Sequence, residues 1–138
     1  MSHNNDRIAL YTAVNNAFSS VCPIRFDTLP EADGIISSDS VWIHCELEPI
    51  KSHQKSLGAT NPMKRTLGLL TINIYDREEN GSADIFDIME LIETTFLHKS
   101  FNSGTLYIDD IQFVNKSAVK GWICKLAIVH YHSDLTLP

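Results

Sequence analysis

The sequence lacks the features that mark membrane proteins and disulfide-stabilised secreted proteins. No apolar run approaches the roughly 20 residues needed to cross a bilayer, which predicts a protein with no membrane contact. Only three cysteines occur in 138 residues, and none forms a Cys-x-x-Cys pair. Cys22, Cys45 and Cys124 are therefore interpreted as small buried thiols in a reducing compartment.

Familiar catalytic motifs are also missing. There is no Gly-x-Ser-x-Gly, no phosphate-binding loop and no Cys–His arrangement at a known spacing. Asp109 and Asp110 are adjacent on a predicted strand, so we expect them to point to opposite faces rather than to form a carboxylate pair. The sequence predicts no catalytic residue and no cofactor.

Charge and composition indicate an ordinary globular domain. Lys and Arg total 11 against 17 Asp and Glu, a formal charge of -6, which argues against a surface devoted to gripping nucleic acid. Hydrophobic residues make up 43% and charged residues 20% of the chain, values typical of folded proteins. The length predicts a single domain over residues 1–138 with one sizeable core.

The chain is organised around a predicted strand, turn and helix between Arg65 and Phe101. Apolar and polar residues alternate from Leu70 to Tyr75, as in a half-buried strand. Asn80-Gly81 marks a turn, and Ser82 can cap a helix that ends near Phe96. The apolar residues of this helix recur every three or four positions and so share one face.

The remaining elements predict an α+β fold. An amphipathic pattern near the N-terminus predicts a first helix that begins at Asn5 or Asp6. Other strands are predicted at residues 41–48, 105–115 and 122–132. We expect a mostly antiparallel four-stranded sheet with two α-helices packed on one face. The last strand is apolar on both faces, which is typical of a central covered strand or of a subunit interface.

Residues 50–65 form a long polar connection, and we predict a flexible loop there. No Asp or Glu occurs between Ile50 and Tyr75, whereas this stretch holds Lys51, Lys55, Lys64 and Arg65. Loops of this length are usually functional or disordered. Two interpretations stay open: a solvated loop with no role, and an arm that orders only on a partner.

One metal site is conceivable on the last strand. His130 and His132 are two residues apart and would point to the same face, with His44 or Glu46 as a third ligand. No other spacing supports a metal site, so none is assigned.

The chain has an N-terminal helix, then Arg65-x-x-Gly68 at the end of the long loop, a Gly81 turn and a helix that ends at Phe96. In this arrangement nearly the whole chain resembles the lambda-type tail terminator proteins of long-tailed bacteriophages and prophages. One departure is the acidic turn from Arg77 to Asn80, where relatives often have a shorter Pro-Gly turn.

The resemblance implies a structural protein without catalysis. Family members form a hexameric ring that caps the tail tube, stops its polymerisation and offers a surface to the head-completion protein. The partners implied are further copies of the chain, the major tail tube protein and the head-completion protein, while DNA passes through the channel without specific binding. A monomer in solution is compatible with this role. The implied location is the head-proximal end of the virion tail, after assembly in the host cytoplasm.

Two groups of residues are expected at a subunit or tail-tube interface: basic residues of the long loop and apolar residues of the last strand. They are Lys51, Lys55, Lys64, Arg65, Trp122, Ile123, Val129 and Tyr131. Two alternatives stay open: a head-completion or neck protein of similar size, and a small ligand- or metal-binding domain.

Overall fold

A computed structural model describes residues 2–27, 40–54, 63–116 and 121–136. Two helices are present in this part of the chain, α1 (Ser2–Phe18) and α2 (Ala83–Phe96). The strands are β1 (Ile24–Phe26), β2 (Trp42–Gln54), β3 (Met63–Arg77), β4 (Ser100–Phe101), β5 (Leu106–Lys116) and β6 (Trp122–Thr136). Neither described helix has the length and hydropathy needed for a membrane span.

The predicted four-stranded, mostly antiparallel sheet is wrong. The sheet has six strands in the order β1-β2-β3-β6-β5-β4, it is curled like half a barrel, and it is mixed because β1 runs parallel to β2. The two missed strands, β1 and β4, contain three and two residues. Such short segments do not display the period-two alternation by which a strand is recognised in a sequence.

The predicted loop at residues 50–65 is strand at both ends. Strand β2 continues through Gln54, and β3 begins at Met63. Pro49 does not end β2. The pairing with β3 shifts register between Pro49 and Lys51, and this bulge accommodates a proline that has no N–H to donate to the neighbouring strand. Lys55 lies outside the described residues.

The core lies between the two helices and one face of the sheet. Helix α2 buries Ile85, Ile88, Ile92 and Phe96, which confirms the predicted apolar stripe. Ser82 occupies the N-cap position, but its side chain makes no capping hydrogen bond. The strand residues beneath the helices are fully buried, and they include Ile43, Cys45, Leu70, Ile72, Ile74, Ala127 and Val129.

A buried polar cluster ties α1 to the sheet. The Asp6 carboxylate is fully buried, and its Oδ1 accepts hydrogen bonds from Ser133 Oγ at 3.1 Å and Asn102 Nδ2 at 3.0 Å. Tyr131 Oη is buried nearby without a hydrogen-bond partner. Because a buried carboxylate is costly unless hydrogen-bonded, these contacts fix where α1 begins relative to β6.

Buried tyrosines and thiols predict a loss of stability at alkaline pH. Burial, the largest cause in each case, raises the pKa of Tyr75 to about 12 and that of Cys22 to about 11, and it raises the pKa values of Tyr11 and Tyr131 further. Above about pH 10 the unfolded chain releases protons that the folded chain retains, so the free energy of unfolding must fall as pH rises.

We expect that fall to reach at least about 1.4 kcal/mol per pH unit, the value for one such group. Urea denaturation between neutral and alkaline pH measures it. Tyr75→Phe removes one contributor and is expected to make the decline shallower. A free energy of unfolding that stays constant up to about pH 11 would contradict the buried positions of these side chains.

Candidate interaction surface

The side of the sheet opposite the helices carries no helix among the described residues, and we call it the open face. Its centre is formed by Leu67 and Leu69 of β3 together with Leu126 and Ile128 of β6. These four side chains are only half buried, whereas their neighbours on the helix side of the same strands are fully buried. The open face therefore presents aliphatic surface at the middle of a rigid, hydrogen-bonded sheet.

A shallow trough of about 500 Å³ crosses the open face. Ile50, at the bulge of β2, forms one wall, and Leu67 and Leu69 form much of the floor. The opposite wall is formed by Asp109 and Asp110 of β5. Also lining the trough are Gly68, His130 and Tyr131. The trough thus combines an apolar floor with one acidic wall.

The prediction that Asp109 and Asp110 point to opposite faces is wrong, because both residues line the same trough. Asp109 Oδ1 lies 2.7 Å from His132 Nδ1, and Asp110 Oδ1 lies 3.7 Å from His130 Nε2. The register of β5 against β6 shifts between Ile108 and Asp110, so a bulge places both carboxylates beside histidines of the open face. The signal for this bulge is weak in a single sequence, because alternation alone assigns adjacent residues to opposite faces.

An ion pair stands at the end of the open face nearest the predicted loop. Arg65 Nε and Nη2 donate to the two Asp134 carboxylate oxygens at 2.8 and 2.9 Å. This hydrogen bonding raises the pKa of Arg65. The bidentate geometry fixes Arg65 against its own chain, so we expect this side chain to orient β3 and β6 rather than to reach a distant partner.

An aromatic cluster covers the other end of the open face. Trp42 stacks on Tyr75 with ring centroids 4.3 Å apart and meets Trp122 edge-on at 6.3 Å. The Arg77 guanidinium lies 4.2 Å from the centre of a Trp122 ring. This cluster explains why the last strand is apolar on both sides at its beginning, where both tryptophans are buried.

The residues predicted to form an interface lie in different parts of the structure. Val129 and Tyr131 lie in the core beneath the helices, Trp122 is buried in the aromatic cluster, and Ile123 packs against the core from the helix side. The alternate aliphatic residues of β6, Leu126 and Ile128, lie on the open face and are partly buried.

The basic candidates lie at the end of the sheet near the predicted loop. Lys51 is exposed on β2, and Lys64 and Arg65 are half buried on β3. The structure brings Lys51, Arg65 and the open-face residues of β6 onto one surface, through the pairings of Lys51 with Leu67 and of Leu67 with His132.

The histidines singled out in the sequence do share the open face, but each contacts its own aspartate. His44, the proposed third ligand, instead contacts the Asp27 carbonyl oxygen. Among the described residues, no group of three or more His, Cys, Asp or Glu side chains could hold a metal ion.

Comparison with known proteins establishes the fold only. No protein-family model matches the chain, and no curated protein does. A solved structure matches it with a TM-score of 0.69 at 12% sequence identity, over 100% of this chain and 99% of that one. The architecture of the whole chain therefore recurs in another protein, and at this identity the likeness carries no functional assignment.

Proposed function

We propose that the protein is a structural phage assembly protein that caps the tail tube as a ring, ends tail polymerisation and provides the head-joining surface. The observation that carries this proposal is the open face with its partly exposed aliphatic centre, Leu67, Leu69, Leu126 and Ile128. The role requires no catalysis, and its site would be the head-proximal end of the virion tail.

The open face suits a protein partner of matching shape. Monomeric soluble proteins rarely expose large contiguous apolar patches, and those they expose usually mark interaction sites. Strands β3 and β6 are each paired on both sides, so the aliphatic centre is held rigidly. A pre-formed surface loses little conformational entropy on binding. We assign this surface to the contact with the tail tube protein.

A ring also needs contacts between copies of the chain. Identical subunits in a ring meet through heterologous contacts, in which each patch meets a different patch on its neighbour. The resemblance to tail terminators supplies the hexameric number, and the net charge of -6 favours a channel along which DNA slides without specific binding.

Self-association tests the proposal directly. We expect sedimentation velocity over a wide concentration range, with and without purified tail tubes, to detect ring-sized species on the tubes or at high concentration. A strict monomer at every concentration, with no binding to tail tubes, would refute the proposed function. A head-completion protein of similar fold would instead bind the completed tail end without arresting tube growth.

The trough supports a second candidate, a small ligand-binding domain. Its acidic wall and His130 could receive a cationic ligand over the apolar floor. Metal analysis of tag-free protein and a screen of small cations by thermal shift test this candidate. Stoichiometric metal in the purified protein would favour it over the assembly role.

A further inference from the structure

Two β-bulges lie near opposite edges of the sheet. One interrupts β2 between Pro49 and Lys51, and the other interrupts β5 between Ile108 and Asp110. In the described residues, the outer neighbour of β2 pairs with it only at residues 43–45, and the outer neighbour of β5 pairs only at residues 106–107. Both bulges therefore lie beyond the part of their strand that an outer strand covers.

The two bulges lie within about one residue pair of each other along the strands. Lys51 is opposite Leu67 on β3, and Leu67 is opposite His132 on β6. His132 in turn contacts the Asp109 carboxylate at 2.7 Å. A rotation about an axis roughly parallel to the strands would carry one bulge next to the other with a shift of about one residue along the strands.

The bulges carry complementary side chains. At the β2 bulge, Ile50 is 61% exposed and is followed by the exposed Lys51. At the β5 bulge, the Asp110 side chain is 72% exposed and that of Asp109 is 42% exposed. The corner of the sheet at Ile50 and Lys51 is thus apolar and basic. The opposite corner, at Asp109 and Asp110, is acidic and lies beside the apolar floor of the trough.

These corners cannot neutralise one another within one chain. Strands β3 and β6 separate β2 from β5, and three inter-strand spacings amount to about 14 Å. A lysine side chain does not span that distance. At the acidic corner Asp109 and Asp110 contact His132 and His130, and Asp109 also interacts with the charge of Arg65. Lys51 does not reach this corner within one chain, so another copy is needed to bring Lys51 against it.

We propose that the Ile50–Lys51 corner of one copy docks against the Asp109–Asp110 corner of the next copy, as the head-to-tail contact of the assembly. This inference rests on the proposed ring function and names the surfaces that join its subunits. Lys51 faces the neighbour's acidic wall from the outer side, and Ile50 lies beside this contact at the edge of the sheet. The aliphatic centre of the open face stays available to the tail tube. The contact is heterologous, so it can propagate around a ring.

Glu48 opposes this contact. It lies two residue pairs from Lys51 along β2, opposite Leu69, and Leu69 is opposite His130, whose neighbour on β5 is Asp110. Docking would bring Glu48 towards the acidic corner of the next copy, so removing its charge is expected to strengthen association. Glu48→Gln should therefore shift the association midpoint to lower protein concentration.

Charge reversal tests this contact. Sedimentation velocity measures association, and tail tubes are included if the wild type associates only in their presence. Lys51→Glu and Asp110→Lys are each expected to weaken association by at least about tenfold at low salt, because like charges then face each other. An equal mixture of the two variants should associate like the wild type. In a ring in which the two variants alternate, every contact is either native or joins the introduced glutamate to the introduced lysine.

Glu90→Lys serves as the control, because this exposed residue of α2 lies away from both corners. It should associate like the wild type, and circular dichroism should report an intact fold for all variants. Wild-type association that is unchanged by either reversal, or reversed variants that the mixture does not rescue, would overturn the docking inference and leave the ring function standing. A wild type that never associates and never binds tubes would overturn both.

Discussion

Gly68→Ala is expected to lower the free energy of unfolding by about 3 kcal/mol, the upper part of the range for overpacking a core. A Cβ at residue 68 would lie 2.4 Å from Tyr131 Oη and 2.5 Å from Tyr131 Cζ. Tyr131 is 1% exposed, so a displacement of its ring would disturb the close-packed core around it. The glycine of Arg65-x-x-Gly68 is thus explained by the tyrosine ring that occupies the place of its side chain. Urea denaturation measures the loss.

A double-mutant cycle assigns this loss to the Tyr131 ring. In a Tyr131→Leu background the clashing ring atoms are gone, so adding Gly68→Ala should cost much less than it does in the wild type. In a Tyr131→Phe background the ring remains, so the full cost should persist. Equal costs in the leucine and wild-type backgrounds would show that Gly68 is needed for some reason other than Tyr131.

Ile128→Glu is expected to weaken binding to tail tubes by at least about 100-fold, because a carboxylate would be taken out of water at the centre of the contact. Ile128 is half buried on the open face, so the folded chain should tolerate the change. Co-sedimentation with purified tubes measures the binding, and an unfolding curve checks that the variant is folded.

Ile8→Glu is the matched control for this experiment. Ile8 is 50% exposed on α1, on the helix side of the molecule, so a charge there should leave tube binding unchanged. Equal loss of binding in both variants would indicate a general effect of added charge. Wild-type binding by the Ile128 variant would remove the open face from the proposed contact.

Parts of this structure were predictable because a strong local pattern and the tertiary structure agree. Helix α2 has apolar residues at helical spacing, and the same four residues are buried. The middle of β3 alternates cleanly, and Leu70, Ile72 and Ile74 lie in the core. The three cysteines are buried and free, as expected from their spacing.

Other parts depend on pairings that a single sequence does not encode locally. Pro49 looked like the end of β2, yet a bulge carries the strand past it. A second bulge brings Asp109 and Asp110 to the same histidine-bearing face, against the alternation rule. The last strand looked apolar on both faces because one face packs under the helices while the other contributes Trp122 to the aromatic cluster. Val129 and Tyr131 lie on the face beneath the helices, whereas Leu126 and Ile128 lie on the open face.

The central claim is that the protein acts by assembling on the end of a tail tube. Electron microscopy of labelled protein mixed with growing tail tubes tests it most directly. We expect one ring at one end of each tube, with growth arrested where the ring is bound. Tubes that keep growing at both ends, with label absent or scattered along their length, would contradict it.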